Sequence, residues 1–186
     1  MSKETFSVME GVIAAGALIT SAAAVFIAWD QAETMRVEQH ASVFPAIQVD
    51  PYERREVNGI FVGFTVENAG VGPAFIHSAR LLNEDGPLTG YEDITRLVPA
   101  RVDIKFEQLT GRTLAPSVSR NALQLHWNGI ALPTDLENAA YASTGGMQME
   151  VCYCSTLDRC WISTSGDRIH PQRVDACPDA SKDGLF

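Results

Sequence analysis

MQMEVCYCSTLDRCWIST, residues 147–164, decides how the larger part of this chain folds. Met147, Met149, Val151 and Tyr153 alternate with Gln148, Glu150, Cys152 and Cys154. A period of two is that of a half-buried β-strand. A second run, Cys160–Thr164, follows after the loop Ser155–Arg159. Paired as a hairpin, the runs set Cys154 opposite Cys160, Tyr153 opposite Trp161 and Cys152 opposite Ile162. Tyr153 and Trp161 then share the core face as an aromatic pair. Cys154 and Cys160 point outward together, within disulfide reach. Cys152 is left for Cys177, which staples the C-terminal segment to the sheet. A bulge would shift the register and give the other pairing, Cys152–Cys160 with Cys154–Cys177.

The same alternation recurs upstream. Ile60, Val62, Phe64 and Val66 share one face of Gly59–Asn68; Val102, Ile104 and Phe106 share one face of Arg101–Glu107. Leu123, Leu125 and Trp127 do so in Asn121–Asn128, and Ala46–Val49 and Ala74–Leu82 are further strands. About seven strands separated by turn signals predict a mainly β domain, an antiparallel immunoglobulin-like β-sandwich. Tyr91–Leu97 and Thr134–Ala142 read as short helices in the connections. Asn68-Ala-Gly-Val-Gly-Pro-Ala74 reads as a hairpin. Gly70 and Gly72 supply positive φ there, Asn68 bonds its own backbone, and Pro73 opens the next strand. With no following helix and no Lys, it is not a phosphate-cradling loop. Asn83-Glu-Asp-Gly86 reads as a turn rather than a calcium loop.

The N-terminal part has a different character. Gly11–Trp29, GVIAAGALITSAAAVFIAW, carries no charge over nineteen residues. As a helix it measures about 28 Å, close to the ~30 Å hydrocarbon core of a bilayer. Ala22-Ala23-Ala24 resembles a signal-peptidase site, but the apolar run continues through Val25–Trp29. The preceding segment has one Lys and two Glu, where a signal peptide wants net positive charge. Trp29 suits a membrane interface. The expected organisation is therefore a cytoplasmic N-terminus (1–10), a transmembrane helix (11–29), a helical stalk (30–43) and a periplasmic β-domain (44–186). Pro45 should stop the stalk near Ser42 or Val43. Gly16, Thr20, Ala24 and Ala28 recur every four residues, with Ala17 and Ser21 beside them. Such a ridge of small residues suits close packing against a partner helix or a second copy of this chain. Val12, Leu18, Ile19, Val25, Phe26 and Ile27 would then face lipid.

Net charge is −9. An acidic chain without a basic run excludes nucleic acid as a partner, and also docking flat on anionic lipid. The spacing C-x-C-x5-C-x16-C is not that of a zinc site, even with His170 as an added ligand, and there is no C-x-x-C. Four cysteines behind an export-type helix read as two disulfides in an oxidising compartment, with Met1 on the cytoplasmic side. No catalytic motif is present: His40, His77, His126 and His170 are scattered, and Glu84-Asp85 and Glu92-Asp93 read as solvated. No cofactor or metal is expected.

Glu38–Pro45 after a short anchor, Asn68-x-Gly-x-Gly-Pro-Ala74, and Cys152-Tyr-Cys-Ser155 followed by Cys160-Trp161 form a set. It resembles small bacterial single-pass membrane-anchored proteins with a periplasmic β-sandwich. The resemblance implies a bacterial envelope location and no particular activity. The expected function is a non-enzymatic accessory or scaffold subunit of an inner-membrane complex. Its partners would be other membrane subunits, or a second copy, and the lipid bilayer. The alternative is a periplasmic sensor or ligand-binding module with its site in Asn83–Thr95.

Overall fold

The computed structural model describes residues 3–99, 102–129, 133–166 and 171–179. The chain divides after Ser42 into a helical unit and a β unit.

The helical unit is one unbroken helix, α1 (Lys3–Ser42). It is long and apolar enough to cross a membrane, and its apolar stretch is not buried. Its large side chains, among them Leu18, Ile19, Phe26 and Trp29, are fully open. The polar groups within it are satisfied internally. Thr20 Oγ1 donates to the Gly16 and Ala17 carbonyls at 3.0 Å, and Ser21 Oγ donates to Leu18 O at 2.9 Å. Hydroxyls bonded in this way carry little penalty in hydrocarbon.

Among the described residues the β unit holds ten strands: β1 (Ile47–Glu56), β2 (Gly59–Asn68), β3 (Ala74–Asn83), β4 (Gly86–Leu88), β5 (Asp103–Phe106), β6 (Thr113–Leu114), β7 (Ser119–Asn128), β8 (Gln148–Cys154), β9 (Cys160–Thr164) and β10 (Gln172–Val174). Helices α2 (Tyr91–Leu97) and α3 (Thr134–Ala142) lie in the connections, the second running into a 3₁₀ turn at Ser143–Gly146. One sheet has the order β1-β2-β7-β5; the other runs β10-β9-β8-β3-β4, with β6 also on β3. All pairings are antiparallel.

The two sheets share one core. Ile60, Val62, Phe64 and Val66 of β2 and Leu123, Leu125 and Trp127 of β7 meet Ile76 and Leu81 of β3 and Met149, Val151 and Tyr153 of β8. Each large apolar side chain so buried contributes about 1.5–3 kcal/mol. Two bulges adjust the faces. The β2–β7 register shifts at Phe64/Thr65, so Ala122 and Leu123 are both buried. The β3–β8 register shifts between Ile76 and Ser78, at His77. Pro51 sits in β1, at the sheet edge, where a missing N–H is tolerated.

Asn68–Ala74 is not a hairpin. β2 and β3 lie in different sheets, and this segment carries the chain across. Asn68 is wholly buried at the crossing. Its Nδ2 donates to Gly72 O (2.8 Å) and Leu114 O (3.0 Å). Its Oδ1 accepts from the amides of Gly70 (3.0 Å) and Ala46 (3.2 Å). Its backbone pairs with Val118 O and Ser117 N. Gly70 and Gly72 are required for close approach, not for positive φ. A Cβ on Gly72 would lie 2.0 Å from Val43 O, and one on Gly70 2.4 Å from Ala46 N.

Asn68→Ala strips four backbone groups, two buried and two part-buried, of their side-chain partner, so a loss of roughly 3–5 kcal/mol is expected. Gly72→Ala must displace backbone and should cost at least about 3 kcal/mol. Urea unfolding of the full chain in detergent, followed by far-UV circular dichroism, measures both; a loss under about 1 kcal/mol for Asn68→Ala would contradict the hub.

Candidate functional site

Chemistry-bearing side chains concentrate at the β8–β9 hairpin. Its register is Cys152↔Ile162, Tyr153↔Trp161 and Cys154↔Cys160. Ser155 turns the chain: its amide donates to Arg159 O at 2.8 Å, and its Oγ accepts from the Leu157 and Arg159 amides. β10 runs along β9, with Val174 opposite Cys160, and carries the chain on to Cys177.

The sulfurs of Cys154 and Cys160 lie at disulfide distance, 2.03 Å, as do those of Cys152 and Cys177, 2.05 Å. Cys152, Cys154 and Cys160 are buried rather than facing outward into solvent. The Cys154 and Cys177 sulfurs approach to 3.9 Å. Those of Cys154, Cys160 and Cys177 all lie within 4.8 Å of one another. His170, the added ligand weighed for a metal, lies outside the described residues.

A cleft of about 400 Å³ opens beside Cys154. His77 and Arg112 line it with Thr110, Ser155 and Asp158. Asp158 takes a φ of 55° in the hairpin loop. The Thr110 hydroxyl is buried with no partner among the described residues. The lining offers hydrogen-bonding groups and charges of both signs. A second cavity, about 330 Å³, lies between Asn83, Asp85 and Pro87 and the Asp93–Arg96 side of α2. It occupies the Asn83–Thr95 stretch, where the short strand β4 precedes the expected helix α2.

Other groups flagged by the sequence are taken up structurally. Asp93 Oδ2 accepts from the amides of Thr89 (3.0 Å) and Gly90 (3.1 Å) and caps α2. Those bonds, the one from Thr89 foremost, hold its carboxyl below the usual range. His126 stacks on Phe61 at 4.1 Å, and Arg54 lies 5.5 Å above the same Phe ring. In α1, Gly16, Thr20, Ala24 and Ala28 all lie on open helix surface.

A buried polar bridge joins the two sheets behind the cysteines. The Ile47 amide donates to the Tyr153 hydroxyl at 3.2 Å, and Ser163 Oγ donates to Ile47 O at 2.7 Å. Phe44 meets Trp161 edge-on at 5.0 Å, and Trp161 stacks on Tyr153 at 6.0 Å. Burial pushes the Tyr153 phenol above its ordinary value of 10.0. Sequence alone carried no sign of this bridge, because its partners are 106 and 116 residues apart.

Comparison with protein-family models, with curated proteins and with solved structures gives no match.

Tyr153 makes stability depend on alkaline pH. A phenol in the unfolded chain ionises near pH 10, and the folded one above that, so its contribution is complete below about pH 10 and lost as the pH climbs through the folded value. Tyr153→Phe should lower stability by about 1 kcal/mol at pH 7 and flatten the decline above pH 10. Melting curves of both proteins from pH 8 to 11 test this; parallel curves would remove Tyr153 as the titrating group.

Proposed function

We propose that the chain is a non-enzymatic accessory or scaffold subunit of an inner-membrane complex. One helix anchors it, its N-terminus lies in the cytoplasm, and its β-domain meets partners in the periplasm. The observation that carries this reading is α1: an unbroken helix whose apolar side chains from Val12 to Trp29 are exposed, in a chain whose β unit has a core of its own. Such a surface needs lipid or another helix around it. The cysteines at disulfide distance support an oxidising compartment.

We read the β-domain as immunoglobulin-like. Taken as A, B, E and D, strands β1, β2, β7 and β5 follow the order of one immunoglobulin sheet, and β9, β8, β3 and β4 follow G, F, C and C′ of the other. Its cysteines do not bridge the two central strands, so the likeness is one of topology. Domains of this topology commonly serve recognition, an analogy and not a derivation.

The ridge Gly16, Thr20, Ala24 and Ala28 is the packing face in this reading. Leucines there hold helices apart. Thr20→Leu with Ala24→Leu should weaken association by roughly tenfold, about 1.4 kcal/mol. Purification in mild detergent, with quantitative mass spectrometry of what accompanies the chain, measures it. Undiminished co-purification would refute the ridge as the contact.

The cavity beside α2 favours a second reading, a sensor or ligand-binding module. A small molecule that raises the melting temperature of the full chain, and does so less for Arg96→Ala, would support it. No response across a panel of acidic and polar metabolites would count against it.

A further inference from the structure

We propose that the two disulfides form one thiol–disulfide exchange site whose co-substrate is a dithiol, with Cys177 as its entry and Cys160 as its exit. The cysteines have no C-x-x-C spacing, so the property arises from the fold. It brings the Cys177 sulfur, bonded to Cys152, to 3.9 Å from the Cys154 sulfur, bonded to Cys160. The distance is near van der Waals contact. Access is unequal: Cys152, Cys154 and Cys160 are only 1%, 6% and 7% exposed, while Cys177 is partly open. An external thiolate therefore meets Cys177 first.

The exchange balances in three steps. One thiolate of the dithiol attacks Cys177 Sγ; the Cys152–Cys177 bond breaks, and Cys152 leaves as a thiolate and takes up a proton. The second thiolate of the reductant attacks its partner sulfur and departs as an oxidised disulfide. This frees Cys177 as a thiolate: two electrons have entered the protein. Freed from Cys152, Cys177 then moves round to the side of Cys154 Sγ opposite Cys160 and attacks it in line. The Cys154–Cys177 bond forms as Cys154–Cys160 breaks, and Cys160 leaves as a thiolate with no further electrons exchanged. Once protonated, the Cys160 thiol has the Asp158 carbonyl within reach at 4.0 Å. The product holds Cys154–Cys177 and thiols at Cys152 and Cys160. The C-terminal segment stays tethered, moved from Cys152 to Cys154, so one reduction re-registers this strap rather than releasing it. The inference rests on the cysteine cluster alone and not on the scaffold reading.

The test uses the full chain in detergent. Purified protein, denatured, should expose no thiol; four thiols would overturn the premise. One molar equivalent of dithiothreitol is added, the reaction is stopped with acid, and thiols are blocked with N-ethylmaleimide. Trypsin cuts after Arg159 and Arg173 and chymotrypsin after Tyr153, which separates all four cysteines for mass spectrometry. More than half of the singly reduced protein should carry a Cys154–Cys177 link with label on Cys152 and Cys160. Label on Cys152 and Cys177 with Cys154–Cys160 intact overturns the relay, as does passage straight to four thiols. Cys152→Ser supplies an independent arm, because it frees Cys177 without any reductant. A measurable fraction of Cys154–Cys177 is expected in that variant; Cys154–Cys160 alone, with Cys177 fully labelled, contradicts the proposal.

Discussion

The β unit depends on one buried amide. Where the chain leaves the first sheet for the second, ladder pairing stops and backbone groups lose their partners. Left unpaired in a core, each would cost about 1–3 kcal/mol. Asn68 meets four of them with its side chain, two as donor and two as acceptor. Asp lacks the donors, Leu lacks both functions, and Gln carries an extra methylene into a site with no spare volume. The glycine requirement follows from the same constraint. Gly70 and Gly72 let the Val43–Ala46 backbone approach the crossing, and there Phe44 O accepts from the Val71 and Gly72 amides and Ala46 O from Ala69.

That arrangement makes Phe44–Ile47 a second organising segment. Its backbone is held by the crossing on one side and by Tyr153 and Ser163 on the other. The Phe44 ring adds an edge contact to Trp161. One short stretch thus touches both sheets before β1 has properly begun. Further ties reinforce each sheet: the Arg80–Glu150 ion pair spans β3 and β8 of the second, while Arg55 and Glu137 join β1 of the first to α3. The first of these pairs is largely shielded from water, so it is screened less by salt than the exposed Arg54–Glu56 pair.

Alternation made the long strands legible. β2 and β9 coincide with the runs read from sequence, and so do α2 and α3; the β8–β9 register followed from a five-residue loop. What stayed hidden has physical reasons. β4, β6 and β10 have two or three residues each, too few to express a period. β1 extends to Glu56 because β2 supplies a partner, although its second half carries no apolar alternation. Asn68–Ala74 has the composition of a tight turn, and only the sheet assignment of its flanking strands distinguishes a hairpin from a crossing. The cleft beside Cys154 gathers residues from β3, the Thr110–Arg112 segment and the β8–β9 loop, which no local spacing could foretell.

The way polar groups are used bears on what the domain does. Asn68, Tyr153, Ser163 and Asp93 are each occupied by bonds that hold the fold, and His126 is committed to a stack on Phe61. Among the described residues, the groups that combine intrinsic reactivity with close mutual approach are the sulfurs. The ridge on α1 has no reactive group at all; its value is shape. The two features lie on different parts of the chain: the ridge is a four-residue repeat of small side chains, while the 3.9 Å approach is between sulfurs 23 residues apart. Helix packing ignores redox state, whereas the strap at Cys177 responds to it. Under the proposed reading, a chain anchored by its helix would keep that anchor while the strap at Cys177 exchanges its disulfide.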